Sequence, residues 1–148
     1  MPLKLEIVTS EARVFPTKDA DGKLGSGMVD SVLLPGSDGE LGVLPMHAPL
    51  VTTLQPGELR FSIGGKSTDL AVGEGLVEIT QEGVRVLTDM AVDADAIDEK
   101  AVEEALERAK KSLAELKPGE QQEEVAAVMA MIQRSTAQLH LKRKRRTV

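Results

Sequence analysis

The fold class of the first part of this chain is indicated by the stretch Leu59-Arg60-Phe61-Ser62-Ile63-Gly64-Gly65-Lys66-Ser67-Thr68-Asp69-Leu70-Ala71-Val72. Its two arms alternate apolar and polar residues, which is the pattern of a strand with one buried face. The pair Gly64-Gly65 separates the arms, and glycines in that place are typical of a β-hairpin turn. The stretch therefore predicts two antiparallel strands that are neighbours in a sheet.

Short runs of the same kind lie on both sides of this hairpin. In residues 3–8, Leu3, Leu5 and Ile7 alternate with Lys4, Glu6 and Val8, and further apolar runs cover residues 28–34, 41–44, 50–54, 76–80 and 84–88. Gln81-Glu82-Gly83 separates the last two runs and predicts a second hairpin turn. Many short strands joined by frequent turns are typical of an antiparallel β-sandwich or barrel.

Glycine and proline divide the chain into two units. Twelve of the 13 glycines and six of the 7 prolines lie before residue 91, and the other two are adjacent, Pro118-Gly119. These residues punctuate strands and turns and destabilise helix interiors. We therefore predict a β unit over residues 1–90 and a helical unit over residues 91–148, which makes the chain an α+β protein.

The second unit has the spacing of two amphipathic helices. The apolar stripes are Val102, Ala105, Leu106, Ala109, Leu113 and Leu116 in the first helix, and Val125, Val128, Met129, Ile132, Thr136 and Leu139 in the second. Asp95 or Asp98 is predicted to cap the first helix, and Lys117-Pro118-Gly119 to end it. The short connection predicts an antiparallel two-helix hairpin. Because both stripes are thin and rich in alanine, the hairpin is expected to be only marginally stable alone.

Composition excludes several classes of function. The 148 residues contain no cysteine, which excludes disulfides, thiolate metal sites and cysteine catalysis. Two histidines are too few for a histidine-rich metal site, so no metal is predicted. Phe15 and Phe61 are the only aromatic residues, so the stacking platform of a single-stranded nucleic-acid binder is missing. No apolar run reaches the roughly 18 residues of a membrane span, and without a signal peptide we expect a soluble intracellular protein.

Charge is distributed very unevenly along the chain. The net charge is −6, yet residues 125–148 hold six basic and no acidic residues, Arg134 and the run Lys142-Arg143-Lys144-Arg145-Arg146. Such a run favours nucleic acid, anionic lipid or an acidic protein surface as a partner, or it is simply a solvated helix end. Because the rest of the chain is acidic and would repel a polyanion, an acidic protein partner fits better than nucleic acid.

Two other signals have an ordinary structural explanation. Gly65-Lys66-Ser67 resembles the end of a phosphate-binding loop, but that motif needs a glycine where this chain has Arg60. His47 stands between Pro45 and Pro49 with neither an orienting carboxylate nor a nucleophile evident in the sequence. A surface contact is therefore the better interpretation of His47, and the sequence predicts no catalytic site.

The central motif is similar to that of a known family. Gly39-Glu40-Leu41-Gly42-Val43-Leu44-Pro45-Met46-His47-Ala48-Pro49-Leu50, followed by Leu54-Gln55-Pro56-Gly57, resembles the signature of the ε subunits of bacterial and chloroplast F-type ATP synthases. The resemblance implies a sandwich of about ten strands followed by a helical hairpin. It also implies a non-catalytic rotor subunit of the central stalk, packed on the γ subunit and the polar loops of the c-ring, with Glu40, Leu41 and His47 on the partner-facing side. A small adaptor that uses the basic tail on nucleic acid or lipid is the competing interpretation.

The resemblance further implies a regulatory role for the helical unit. In this family the hairpin permits rotation when it is folded against the sandwich and inhibits ATP hydrolysis when it extends into the catalytic head. We expect Arg134 and the basic run 142–146 to meet acidic segments of the α and β subunits in the extended state. The expected location is the cytoplasmic face of a bacterial inner membrane, peripherally attached, with a plastid thylakoid as the second choice.

Two departures from the family pattern are visible. Some members bind regulatory ATP through a motif whose arginine corresponds to Ala101 in Ile97-Asp98-Glu99-Lys100-Ala101-Val102. Ile97, Asp98 and Arg108 remain as vestigial contacts, so we predict no cofactor and weak or no ATP binding. Residues 16–27 look longer than the usual connection of the first two strands, and they predict an exposed hairpin or flexible loop.

Overall fold

The computed structural model describes residues 2–116, 119 and 122–147, with side chains as far as residue 144 in the last helix. Its strands are β1 (Leu3–Val8), β2 (Arg13–Phe15), β3 (Met28–Val29), β4 (Ser31–Gly36), β5 (Gly39–Val43), β6 (Leu50–Leu54), β7 (Gly57–Ile63), β8 (Lys66–Val72), β9 (Gly75–Ile79), β10 (Gly83–Thr88) and β11 (Ala91–Asp93). A short 3-10 helix (Ala94–Ala96), α1 (Glu99–Glu115) and α2 (Gln122–Thr147) follow. The predicted α+β fold, a strand-rich sandwich followed by a two-helix hairpin, is confirmed.

The strands form two layers joined at a corner. Hydrogen bonding follows the order β11-β8-β7-β4-β6-β9-β10-β1-β2, while β5 is added to β4 and β3 to β1. The β4–β6 contact consists of the single pair Gly36 and Leu54, which is the corner between the layers. All pairs are antiparallel except β1 with β10, which are far apart in sequence and run parallel.

The alternation read from the sequence places the core correctly. Leu59 and Phe61 of β7 and Leu70 and Val72 of β8 are buried, and the two strands pair from Gly57 opposite Val72 to Ile63 opposite Lys66. Their apolar faces join those of the other strands in one buried cluster. Each of these side chains contributes roughly 1.5–3 kcal/mol of burial free energy, which explains why alternation fixes the face that turns inward.

The sheet extends past the boundary predicted at residue 90. Ala91, Val92 and Asp93 pair with Val72, Ala71 and Leu70 of β8. Three half-buried residues are too few to show alternation, so only the pairing partner reveals this last strand. The sandwich therefore ends three residues later than predicted, and the 3-10 helix leads into the hairpin.

Helix α1 begins where the sequence indicated. Asp98 is its N-cap, and the side chain accepts a hydrogen bond from the backbone N–H of Ala101. Leu106 and Ala109 of the predicted stripe are buried. Of the predicted stop, Lys117 and Pro118 lie outside the described residues.

Helix α2 differs from its predicted stripe. Leu139 is buried as expected, but Val125 and Met129 are exposed, whereas Ser135 and Leu141 are buried. The reason is that α2 packs on two neighbours, α1 and the sheet strands β7 and β8. Leu141 has no exposed surface and shares a small buried cluster with Ala71, Ala94 and Ile97. The hairpin therefore lies docked on the sandwich in this structure.

The long connection after β2 forms a short exposed hairpin. Lys18 and Leu24 make an isolated antiparallel bridge, and the Asp19 carboxylate accepts hydrogen bonds from the N–H groups of Asp21 and Lys23. The expectation of an exposed hairpin or flexible loop is met by the hairpin.

Candidate interaction surfaces

The basic end of α2 is held by carboxylates of the same chain. The Lys144 ammonium lies 3.0 Å and 3.3 Å from the two carboxylate oxygens of Glu58 on β7. Arg143 donates from Nε to Glu99 at 3.2 Å and from a second guanidinium nitrogen to Glu103, both on α1. These hydrogen bonds raise the pKa of Arg143, chiefly through Glu103 and then Glu99. Arg145 and Arg146 have side chains outside the described residues.

A further ion pair holds the middle of α2. Arg134 donates to an oxygen of Asp89 at 3.0 Å, and the predicted basic residue Lys142 donates to the backbone carbonyl of Ala94 at 3.3 Å. We call Glu58, Asp89, Glu99 and Glu103 the carboxylate clasp. Four of the six predicted tail residues thus bind groups of the same chain. The sequence did not predict these contacts, because the four carboxylates are scattered along it.

The sheet under α2 carries a charged row. Arg60 on β7 donates to the Asp69 carboxylate of β8 at 2.6 Å and 3.3 Å, and its guanidinium also reaches Glu58 at 3.4 Å. The hydrogen bond and the charge of Asp69 raise the pKa of Arg60. Glu58 therefore stands between a cation of the sheet and the ammonium group of Lys144.

Strand β5 and the turn that follows it, residues 44–49, present a different surface. Glu40 is exposed, whereas Leu41 packs against the main core because neighbouring residues of a strand point to opposite faces. His47 is half-buried, and its Nδ1 lies 2.7 Å from the carbonyl of Ala48. Leu41 is thus turned away from the surface on which Glu40 and His47 were predicted to meet a partner.

Two exposed residues of the same turn were not among the predicted partner-binding residues. Leu44 and Met46 are 64% and 68% exposed, and Met46 has a backbone φ of 68°. Positive φ is uncommon for a residue with a side chain and marks a constrained turn. In the sequence, Pro45 and Pro49 indicated a constrained turn, but they do not show which of its side chains face solvent.

A row of apolar residues crosses the outer face of the strands β9, β10 and β1. Leu76 of β9 lies opposite Leu87 of β10, which in turn pairs with Val8 of β1. Leu76 and Leu87 are 51% and 46% exposed. We call Val8, Leu76 and Leu87 the apolar row, and exposed contiguous apolar surface of this kind marks protein contacts more often than chance.

The residues considered for ATP have structural roles of their own. Ile97 is buried against Leu141, and the Asp98 carboxylate caps α1 at 3.2 Å from the N–H of Ala101. Arg108 is exposed and ten residues further along the same helix, about 15 Å along its axis. The docked hairpin does not bring Asp98 and Arg108 together.

Among the residues that the structure describes, no group of three or more metal-binding side chains comes together, and no helix is long and apolar enough to cross a membrane.

Residues 2–94 match the family model of the ATP synthase delta/epsilon chain β-sandwich domain. The chain belongs to the ATP synthase delta/epsilon chain family. It is 36% identical to the ATP synthase epsilon chain of Herpetosiphon aurantiacus over 146 residues, 99% of this chain and 98% of that protein. The epsilon chain of Desulforamulus reducens is 44% identical over 110 residues, covering 74% of this chain and 76% of that one.

Solved structures show the same fold. A chain in the OSCP, F1 and c-ring structure of Euglena gracilis mitochondrial ATP synthase matches 92% of this chain and 78% of its own length, with a TM-score of 0.69 and 20% identity. A chain in the central stalk and c-ring structure of the Tetrahymena thermophila enzyme gives a TM-score of 0.51 at 12% identity. At these identities the likeness concerns the fold.

The family membership confirms the resemblance read from residues 39–57. Epsilon chains are subunits of the ATP synthase and not its catalytic subunits, so the prediction that this chain is an accessory subunit is confirmed. The delta/epsilon family thus accounts for the sandwich, and its members contribute to ATP synthesis as parts of the complex.

Proposed function

We propose that this chain is a rotor subunit of the central stalk that packs on the γ subunit and the c-ring and helps to transmit rotation to the catalytic head. The apolar row supports a protein contact on the sandwich, since Leu76 and Leu87 are about half exposed on a regular sheet face. Glu40 near the start of β5 and His47 in the turn after β5 support a second contact, with the polar loops of the c-ring. The family membership supports the assembly in which both partners occur.

The apolar row and the turn are tested separately by co-purification from detergent-treated membranes. Leu87→Asp should abolish retention of γ, whereas Ile63→Asp, at a similarly exposed residue at the end of β7, should not. The pair Glu40→Gln and His47→Ala should weaken retention of the c-ring while γ remains bound. Equal retention of γ by Leu87→Asp and the original chain would contradict the assignment of the apolar row.

We also propose that the hairpin inhibits ATP hydrolysis when it leaves the sandwich and extends toward the α and β subunits. The supporting observation is that the basic end of α2 is docked by the carboxylate clasp through exposed ion pairs, which are individually weak. Acidic segments of the head offer the same kind of counter-charge to the same cations. A helix held in this way is suited to exchange one set of carboxylates for another.

Hydrolysis by the reconstituted enzyme tests the inhibition from both sides of the ion pairs. Glu58→Gln with Glu103→Gln frees the tail but leaves its charge, so hydrolysis should fall several-fold relative to the matched variant Glu107→Gln on the exposed side of α1. Neutralising Arg143 and Lys144 removes the charge itself and should raise hydrolysis. Unchanged hydrolysis by the tail variant at low and at high salt would overturn this proposal.

We propose that this chain does not use regulatory ATP and needs no cofactor. Ala101 replaces the motif arginine, and the Asp98 carboxylate is already engaged as a helix cap. Titration calorimetry of the full chain with MgATP should give no saturable heat at sub-millimolar concentration. A sub-millimolar dissociation constant would show that Lys100 or Arg108 replaces the missing arginine.

We propose a peripheral location on the cytoplasmic face of the bacterial inner membrane, since the partners named above present their polar surfaces there. Protease added to inverted membrane vesicles should digest this chain, whereas sealed right-side-out vesicles should protect it. Protection in the inverted vesicles would contradict the location.

A further inference from the structure

The charged row on the sheet contains an ion pair between two neighbouring strands. Asp69 is only 7% exposed, and it receives two hydrogen bonds from Arg60 on the neighbouring strand at 2.6 Å and 3.3 Å. A buried carboxylate that lost its cation would be strongly destabilising. Because Arg60 belongs to the sheet and not to the hairpin, Asp69 keeps this partner wherever the hairpin goes.

Glu58 is the point at which this row meets the hairpin. It lies 3.4 Å from Arg60 and 3.0 Å from Lys144. Arg60 therefore fixes the carboxylate from one side while Lys144 approaches from the other. When Lys144 leaves, Glu58 retains its contact with Arg60 and therefore still has a cation beside it.

The contacts made by the hairpin are, in contrast, open to solvent. The side chains of Arg143 and Lys144 are 52% and 50% exposed in their ion pairs with the clasp. Attraction between exposed charges falls with ionic strength, because the Debye length decreases from about 10 Å at 0.1 M salt to about 3 Å at 1 M. The apolar contact of Leu141 with Ala71 and Ile97 is not screened in this way.

We propose that the carboxylate clasp is an ionic-strength-sensitive latch, in which Arg60 presets Glu58 for Lys144 and the hairpin opens without breaking the Asp69–Arg60 pair. Arg60 is a positioning residue here, acting through Glu58. The inference adds a regulation to the hairpin switch and rests on the function proposed above. It implies that the salt concentration around the protein shifts the balance between docked and released hairpin.

Hydrogen exchange of the full chain, read by mass spectrometry, tests the latch. Between about 0.1 M and about 1 M KCl, opening of the α2 amides around Leu141 should increase roughly five- to tenfold. Lys144→Met should raise opening at low salt and reduce this response to salt. Lys110→Met, which removes an exposed cation that forms no ion pair among the described residues, should leave both unchanged.

The role of Arg60 has a separate readout. Lys144→Met should leave exchange of β7 and β8 unaltered, because the Asp69–Arg60 pair stays intact, whereas Arg60→Met should increase exchange in both strands as well as in α2. Opening of α2 that does not change with salt, or a salt response that is as large in Lys144→Met as in the original chain, would overturn the latch. Loss of protection in β7 and β8 on removal of Lys144 would overturn the presetting by Arg60.

These measurements contain no catalytic step, so they are independent of inhibition. If exchange follows the latch but the clasp variants leave hydrolysis unchanged, the inhibitory function fails while the latch stands. If the clasp variants change hydrolysis but exchange does not depend on salt, the latch fails while the inhibitory function stands.

Discussion

Asp98 illustrates how a single side chain received two competing interpretations. The resemblance assigned it to a motif for regulatory ATP, yet its carboxylate caps α1 by accepting from the N–H of Ala101 at 3.2 Å. The cap satisfies a backbone donor that the helix cannot pair itself. The sequence identified the position correctly, and the structure shows which role it fulfils in the docked state.

We expect Asp98→Ala to lower the free energy of unfolding of the hairpin by about 1 kcal/mol, because it removes the N-cap. Asp98→Asn keeps an oxygen acceptor and should be close to neutral. Urea denaturation of the two variants, followed by far-ultraviolet circular dichroism, measures the difference. A loss as large for asparagine as for alanine would mean that the charge, and not the cap, is important at this position.

Gly73 shows how a missing side chain makes room for an ion pair. A Cβ atom at this position would lie 1.8 Å from an oxygen of Asp89, the carboxylate that binds Arg134. We expect Gly73→Ala to displace Asp89, weaken its contact with Arg134 and increase hydrogen exchange in the middle of α2. Gly42→Ala is the matched control, because a Cβ there would have no atom within 4 Å. Equal exchange in the two variants would contradict the close packing of Asp89 on Gly73.

Among the secondary-structure elements, α2 has the buried face that differs most from its prediction. A stripe of apolar residues indicates one buried face, and the predicted stripe of α2 therefore ended at Leu139. Leu141 and Ser135 are buried as well, because α2 lies between α1 and the sheet. Because α2 contains many alanines and contacts two neighbours, its faces differ too little in hydrophobicity for periodicity to locate both buried faces.

Leu141 is expected to decide how firmly α2 docks. It is fully buried with Ala71, Ala94 and Ile97, so Leu141→Ala should lower the free energy of docking by about 2–5 kcal/mol. Met131→Ala removes a similarly large side chain that is 44% exposed on the same helix and should cost little. Hydrogen exchange of α2 distinguishes them, and equal effects would mean that the docked arrangement is not the populated one.

At the scale of the whole molecule, the sandwich and the docking surface have separate cores. Among the residues that the structure describes, the larger cluster consists of strand residues of the sandwich and includes none of the hairpin. The smaller cluster joins Ala71 of β8 to Ala94, Ile97 and Leu141. Removal of the hairpin therefore leaves the main source of hydrophobic stabilisation in place.

A chain that ends after residue 96 should fold into the sandwich, unfold cooperatively and still co-purify with γ, but it should no longer inhibit hydrolysis. Circular dichroism and the hydrolysis assay check the two halves of this expectation. The full chain with Leu141→Ala serves as comparison, since it has the same weakened docking but keeps the basic tail. A truncated chain without β structure would show that the sandwich depends on the hairpin.

Sequence patterns were sufficient to predict most of the strands, both helices, the core of the sandwich and the family, but not β2 or β11. Alternation, glycine pairs and the 3.6-residue period are local properties, because each reports which neighbouring side chains leave water together. The folded structure was needed to show that β1 and β10 run parallel and that Leu41 faces inward. It alone also decided that Lys144 meets Glu58, 86 residues away. Ion pairs and long-range strand pairing depend on which distant surfaces the folded backbone brings together, and among 24 carboxylates the sequence offers no physical means to choose.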